Sequence, residues 1–442
     1  MIEVGIKVAK FGGSSVADAI QIGKTKKIIE ADPDRKYIVV SAPGKRFDGD
    51  TKVTDLLYLC KTHIEHNLPY EQLYQVVCDR YKVTEVNLEV QVNIQKYLDE
   101  IKENLEKGTT ADYVASRGEY LNAILIAAYL GYDFVDSAPL IHFNEKGKLL
   151  AEETDQALKA ELAKHERAVL PGFYGSTPDG NIKTFSRGGS DITGALVARA
   201  VEADVYENWT DVSGFLMADP RIVEDAKPIS TISYKELREL SYMGATVLHE
   251  DAIYPARIAD IPINIRNTNR PQDEGTLITA EAGPLEDGQI ITGIAGSKDF
   301  IVIALYKNML SDERGFVRRI AGILEDFDIS LEHLPTGIDT VSVVISSESV
   351  DGRLDEIVEE FKQQLKPDNI DVIEHIALIA TVGYGMSSRP GVSAKLFSAL
   401  AEAGVNIRMI DQGSSEMNII VGVENDALET SIRAIYKAFV NE

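Results

Sequence analysis

The 442-residue chain is poor in cysteine, tryptophan and positive charge, holding two Cys, one Trp, and 45 Lys and Arg against 70 Asp and Glu. Two thiols, Cys60 and Cys78, cannot supply a disulfide framework, and they fit a reducing cytoplasm. Apolar runs are no longer than a strand needs, and the start, Met1-Ile2-Glu3-Val4, has neither a basic n-region nor an apolar h-region. No secretory signal, membrane span or membrane partner is therefore expected. A formal charge of −25 disfavours nucleic acid, whose phosphates are bound chiefly by Lys and Arg. It also requires that any anionic ligand be held by local cations against the field of the whole chain. Most of the acid reads as solvated helix face.

What is present describes a globular protein of two or three domains, with 44% hydrophobic and 26% charged residues. Strand-like runs alternate with helical spacing through the first half. Ile6–Phe11 breaks at Gly12-Gly13 and gives way to a helix over Ala17–Ala31. Tyr37–Ser41 is a second strand, followed by a polar loop, Pro43–Lys52, and helical patterns to about Gly108. A helix over Ala111–Leu130 precedes strands at Phe134-Val135 and Ala168–Leu170; a helix over Asp191–Glu202 leads into a strand over Ala203–Trp209. Such alternation predicts an α/β fold with a mostly parallel sheet covered by helices, and ligands at the carboxyl ends of its strands.

The last third repeats itself. A shift of 76 residues lays Ile301–Ala304 on Ala377–Ala380, Gly315 on Gly391, Leu324 on Leu400, Leu331 on Ile407 and Val341–Val344 on Met417–Ile420. A constant offset across several elements marks a duplication, each copy reading strand, turn, helix, strand, strand, helix. Pro271–Gly288, rich in Gly, Pro and acid, is the linker candidate.

Four stretches carry candidate chemistry. Lys10-Phe11-Gly12-Gly13-Ser14-Ser15 sits where a buried strand turns into a helix. Paired glycines let backbone N–H groups approach phosphate oxygens, and a lysine supplies a point charge for a transferring phosphoryl group. The spacing is not that of a Walker loop, and a purely structural turn remains open. Ser116-Arg117-Gly118-Glu119 places a carboxylate on a helix. Ser186-Arg187-Gly188-Gly189-Ser190-Asp191 puts a cation, two glycines, a hydroxyl and a carboxylate at a helix start, which suits both ends of an amino acid. Alone, Asp191 reads equally as a helix cap and Arg187 as a surface ion pair. Thr210–Gly214 through Asp219-Pro220-Arg221 is a turn-rich loop suited to a nucleotide, or an ordinary connection.

Val8–Val16, Ser116–Glu119, Arg187–Asp191, Thr210-Asp211 with Asp219–Arg221, and Gly244-Ala245-Thr246-Val247-Leu248-His249 together resemble the aspartokinase family, in the same order. The duplicated tail resembles its paired ACT domains. The resemblance implies an amino-acid-kinase domain over 1–286, a first ACT region over 287–375 whose N-terminal strand completes the second unit, and a second ACT region over 376–442. It implies transfer from ATP, with Mg²⁺ carried on the nucleotide, to the β-carboxylate of L-aspartate, the first step of lysine, threonine and methionine biosynthesis. By position, Lys10, Arg187 and Asp191 would be catalytic. Ser41, Thr54, Glu119, Arg187, Gly188, Gly189, Ser190 and Asp191 would hold aspartate. Lys10, Phe11, Gly12, Gly13, Ser14, Thr210, Asp211, Arg221, Thr246 and Val247 would hold the nucleotide. No residue is assigned to a protein-held metal.

Two departures touch the nucleotide side: Leu216 stands where the family often has tyrosine, and Thr246 where it often has lysine. The Pro43–Lys52 loop is longer than in many relatives, so Thr54 rests on its Thr-x-Leu-Leu pattern. ACT pairing implies a homodimer or homotetramer and an effector amino acid, lysine before threonine. Met309, Gly315, Phe316, Leu331 and Glu332 would frame its site, or would only pack the units together. Rival expectations are a kinase of another small acid, such as glutamate, and a non-catalytic amino-acid sensor. A fused homoserine dehydrogenase is disfavoured because the chain ends after the repeat.

Overall fold

The buried apolar runs of the first half become neighbouring strands of one sheet. The computed structural model describes residues 5–186, 188–244, 250–281, 289–387 and 389–440. They form two compact units. The first gathers the chain up to Phe215, Pro228–Tyr234 and the strands that follow. Its strands are β1 (Lys7–Phe11), β2 (Arg35–Val40), β3 (Asp133–Phe134), β4 (Ala168–Pro171), β5 (Tyr174–Ser176), β6 (Ile182–Thr184), β7 (Val205–Thr210), β8 (Thr231–Ser233), β9 (Ile263–Asn267) and β10 (Thr276–Thr279).

Eight of them lie in the order β3-β4-β2-β1-β7-β9-β10-β8, while β5 and β6 pair separately as an antiparallel ribbon. The six strands from β3 to β9 run parallel; β10 turns back against β9, and β8 runs parallel to β10. Strands buried on both faces read as continuous apolar runs, and Val8, Ala9 and Phe11 of β1 are fully buried. The helices over them start and stop by ordinary rules. Asp18 accepts from the Gln21 N–H at 2.9 Å to cap Ala19–Glu30. Thr110 caps Ala111–Leu130, and Gly131, at φ 69°, ends it in the left-handed region that glycine adopts without strain. That helix has the bounds read from sequence; the one expected over Asp191–Glu202 runs Gly189–Ala200. The linker candidate Pro271–Gly288 is corrected in part, because β10 lies inside it and pairs with β9 and β8. Cys60 and Cys78 sit buried and unpaired on Val53–Glu65 and Glu71–Asn87, and burial pushes their thiols up to about 12 and about 11.

The second unit gathers Leu216–Lys227, the stretch from Lys235, and the tail. Its sheet has the order β12-β11-β13-β15-β14, from β11 (Gly293–Tyr306), β12 (Thr340–Ser346), β13 (Asn369–Val382), β14 (Met409–Asp411) and β15 (Asn418–Glu424). The 76-residue offset maps β11 onto β13, β12 onto β15, and helix Phe316–Asp326 onto Val392–Glu402. The long β11 is shared along its length. Gly293–Ser297 pairs with Leu378–Val382, and the part from Phe300 pairs with Asn369–Ile376 and with β12. The copies differ at one point. The strand expected near Leu331 does not form, leaving the isolated bridges His333–Val344 and Thr336–Val341, whereas the second copy keeps β14. Glu236, from a segment earlier in the sequence, is built into this unit; its carboxylate accepts from the Thr292 hydroxyl at 2.6 Å and the Tyr384 N–H at 2.9 Å.

Candidate active site

The chain leaves β1 for β2 on one side and reaches β7 on the other only later, so β1 and β7 flank the point where strand order reverses. That point, outside the carboxyl ends of the parallel strands, is where a ligand crevice is expected in such a sheet. The Gly12 N–H donates to the Trp209 carbonyl at 2.9 Å, tying the glycine turn to the end of β7. The Phe11 and Trp209 rings stack at 6.0 Å, and the Ser15 hydroxyl lies 2.7 Å from that of Thr268 at the end of β9. Lys10, only 7% exposed, places Nζ 2.5 Å from Asp191 Oδ1 and 3.4 Å from Asn208 Oδ1. Asn208 in turn donates to Asp191 Oδ1 at 2.8 Å. An ammonium has three donors, so this cluster fixes the head of Lys10 and leaves one proton for an anionic oxygen. Asp191 is the third residue of helix Gly189–Ala200, so that helix brings its positive end to the same place.

A second carboxylate lies across the turn. Glu119 is buried on helix Ala111–Leu130, and burial pushes its carboxyl up to about 8. The Ala42 N–H and the charge of Arg117 offset part of that shift. Its Oε2 is buried without a hydrogen-bond partner, as is Oδ1 of Asn122 three residues on. Asn122 Nδ2 donates to the Ser41 carbonyl at 2.8 Å, holding the end of β2. The Gly44 N–H donates to the Gly13 carbonyl at 2.9 Å, and a Cβ on Gly44 would lie 2.7 Å from the Gly13 carbonyl carbon. The phosphate-type turn and the loop bearing Ser41 therefore touch backbone to backbone.

The structure gathers Lys10, Phe11, Gly12, Gly13, Ser41, Glu119 and Asp191 around this crevice. Ser14 is half-buried in the turn, and Thr54 is half-buried in the first turn of Val53–Glu65. Gly188, at φ 59°, adopts the left-handed conformation that starts the Asp191 helix, with Gly189 and Ser190 buried behind it. Thr210 ends β7 and donates to the exposed Asp211 at 3.2 Å. Arg221 is exposed in the second unit, its guanidinium 2.5 Å from Asp219. Arg187, Thr246 and Val247 lie outside the described residues. Asn208 and Asn122 escaped sequence reasoning. The signal for Asn208 was an amide inside a buried strand, where asparagine is disfavoured. For Asn122 it was the i+3 spacing from Glu119 on one helix face.

In the second unit a cavity of about 240 Å³ is lined by Leu310, Ser311, Glu313, Phe316, Thr336 and Ile338, among others that include Gly315. It takes up Gly315 and Phe316 of the expected effector set. Met309 is exposed beside Leu310, and Leu331 and Glu332 are not in the lining. Glu332 instead accepts a hydrogen bond from the Tyr242 hydroxyl. On the cavity wall, Glu313 is held by Lys307 at 2.6 Å and by Arg319, which keep its carboxyl below the ordinary range.

The sequence matches the amino acid kinase family over residues 5–267 and an ACT domain over residues 379–439. Aspartokinase 3 of Bacillus subtilis is 38% identical over 449 aligned residues, covering 98% of each chain. The chain belongs to the aspartokinase family. It is an aspartate kinase whose α/β amino-acid-kinase unit is followed by an ACT-type regulatory region. The aspartate kinase of Clostridium acetobutylicum has the same fold, with a TM-score of 0.91 and 51% identity over 98% of this chain and 100% of that one. Aspartokinase III of E. coli, solved with lysine and aspartate in a T-state, gives a TM-score of 0.74 at 26% identity over 98% and 99% of the two chains. Solved with aspartate and ADP in an R-state, it gives 0.72 over 99% and 100%. Among the described residues, no helix is long and apolar enough to cross a membrane.

Proposed function

We propose that the crevice between β1 and β7 aligns the γ-phosphate of ATP with the β-carboxylate of L-aspartate, and that the second unit binds lysine as a feedback inhibitor. The observation that carries this reading is the pairing of two unlike charge sites across one backbone contact. Lys10, held by Asp191 and Asn208, is ready for phosphate; Glu119, buried with an unpartnered oxygen, is ready for an ammonium.

The β-carboxylate is ionised at neutral pH and is itself the nucleophile, so no general base is needed. Its oxygen bonds to the γ-phosphorus as the bond to the β–γ bridging oxygen breaks, and ADP leaves with that electron pair. Catalysis then rests on alignment and on offsetting charge over the transferred group. Lys10 supplies that charge. Glu119 receives the substrate ammonium, Arg187 the α-carboxylate, and Ser41, Thr54 and the Gly188–Asp191 segment fix orientation. Thr210, Asp211, Arg221, Thr246 and Val247 belong to the nucleotide side. Mg²⁺ carried on ATP would add positive charge at the phosphates. Lysine fits the second-unit cavity through its hydroxyl-bearing walls and Glu313, and ACT pairing makes a homodimer or homotetramer the working form.

Full-length protein is incubated with Mg-ATP, hydroxylamine and single amino acids to trap acyl phosphate. Hydroxamate is expected with aspartate but not glutamate, and less of it when lysine is added. No hydroxamate with aspartate, from folded protein that binds ATP, would contradict the reading.

A further inference from the structure

The loop between Ser41 and helix Val53–Glu65 carries one wall of the crevice, yet its anchor lies elsewhere in sequence. Arg80, midway along helix Glu71–Asn87, is 7% exposed. One terminal nitrogen donates to the Gly44 carbonyl at 2.6 Å and reaches the Ala17 carbonyl at 3.5 Å. The other donates to the Thr51 carbonyl at 2.8 Å and lies 3.7 Å from Asp50 Oδ2. Asp50 is itself locked by Arg46 through bonds of 2.8 and 3.0 Å. The three carbonyls come from three places: just past the glycine turn, the start of the loop, and its end.

A buried arginine that satisfies carbonyls is often only a staple, since buried backbone acceptors need donors. The positions of these acceptors argue for more. Gly44 is the residue whose N–H holds the Gly13 carbonyl, and Ala42, two residues earlier, gives its N–H to Glu119. A shift of Gly44 therefore moves the phosphate turn and the ammonium-binding carboxylate relative to each other. A planar fork of five donors can hold all these acceptors at once, which a lysine point charge cannot.

We propose that Arg80 is a positioning residue for phosphoryl transfer, setting the separation between the glycine turn and the Ser41–Lys52 loop without touching either substrate. The inference rests on the reading of the crevice given above, which hydroxamate formation by the parent enzyme tests separately. Misplacement of reacting groups by about 1 Å costs on the order of 100-fold in rate. Arg80→Ala is accordingly expected to lower kcat by roughly that factor while ATP affinity changes by less than about threefold. Trp209, the only tryptophan in the chain and stacked on Phe11, reports that affinity by fluorescence.

Millimolar guanidinium is expected to restore much of the lost kcat to Arg80→Ala, and methylammonium is not. A merely structural arginine would show a lower Tm, an unchanged kcat per folded molecule and no such rescue. Should the alanine variant fail to fold, Arg80→Lys carries the test, with an expected loss of at least about tenfold in kcat. A folded variant of either kind with kcat within about threefold of the parent overturns the proposal, as does Arg80→Ala that guanidinium cannot rescue.

Discussion

Among the described residues the first unit buries Lys10, Arg35, Arg80, Arg117, Glu119 and Glu207, whereas the second buries Glu236 as its one charged side chain. Buried charge is costly unless it is paired, and the first unit meets that cost in two ways. Arg35 holds Glu207 through bonds of 2.6 and 3.0 Å, and Trp209 Nε1 adds a third at 2.8 Å, so every strong donor there is spent on the fold. At Lys10 and Glu119 the pairing is incomplete, and incompleteness beside a crevice is what a substrate can finish. The second unit's sheet is apolar by contrast: Ile303, Leu305, Val343, Ile345, Leu378 and Val421 are fully buried.

That contrast breaks most sharply at Glu119. Glu119→Gln keeps shape but removes the charge awaiting an ammonium, and kcat/KM for aspartate should fall roughly 10- to 100-fold with ATP affinity intact. The parent should also show a pH signature. With a carboxyl near 8, Glu119 is neutral in the free enzyme below that pH and ionised above it. Since binding a cation requires the ionised form, kcat/KM for aspartate should rise about 25-fold from pH 6.5 to 8.5 and level off beyond. The rise should vanish in Glu119→Gln; its persistence there would assign the titration to another group.

In the second unit the effect should be confined to regulation. Val317 lines the cavity and is 45% exposed, so Val317→Trp fills the space without disturbing the core. Inhibition titrations should show the half-inhibiting lysine concentration raised by about tenfold or more, with kcat for aspartate unchanged. Unaltered inhibition would move the effector site elsewhere. Removing the tail is a poorer test, because it would also take partners from earlier parts of the chain. Residues 216–227 and 235–244 belong to the second unit, where Tyr436 accepts the Lys227 N–H at 2.8 Å and Glu239 accepts from Asn418 at 2.6 Å.

Much of the architecture was legible because local and global signals agreed. Thr110 and Gly131 bracket their helix in sequence as they do in space. The duplication shows because both copies need the same apolar alternation. β8 and β10 were missed because they are three and four residues long, and around β10 the residues Pro271, Gly275, Gly283 and Pro284 imitate a linker. In the candidate site, the glycine turn and the Asp191 segment announce themselves by local composition. Asn208, Asn122 and Arg80 do not, because each acts on a partner far away in the chain: Asn208 on Lys10, Asn122 on Ser41, and Arg80 on Ala17, Gly44 and Thr51. The missing strand near Leu331 is a divergence between copies that a constant offset cannot reveal.

The central claim is a division of labour, with phosphoryl transfer in the first unit and effector recognition in the second. Lys10→Ala, made in the full chain, tests it with two readouts on one sample: hydroxamate formation and lysine binding by calorimetry. The account predicts a fall in kcat of at least about 100- to 1000-fold, with a lysine Kd equal to that of the parent. Near-normal turnover in that variant would contradict it.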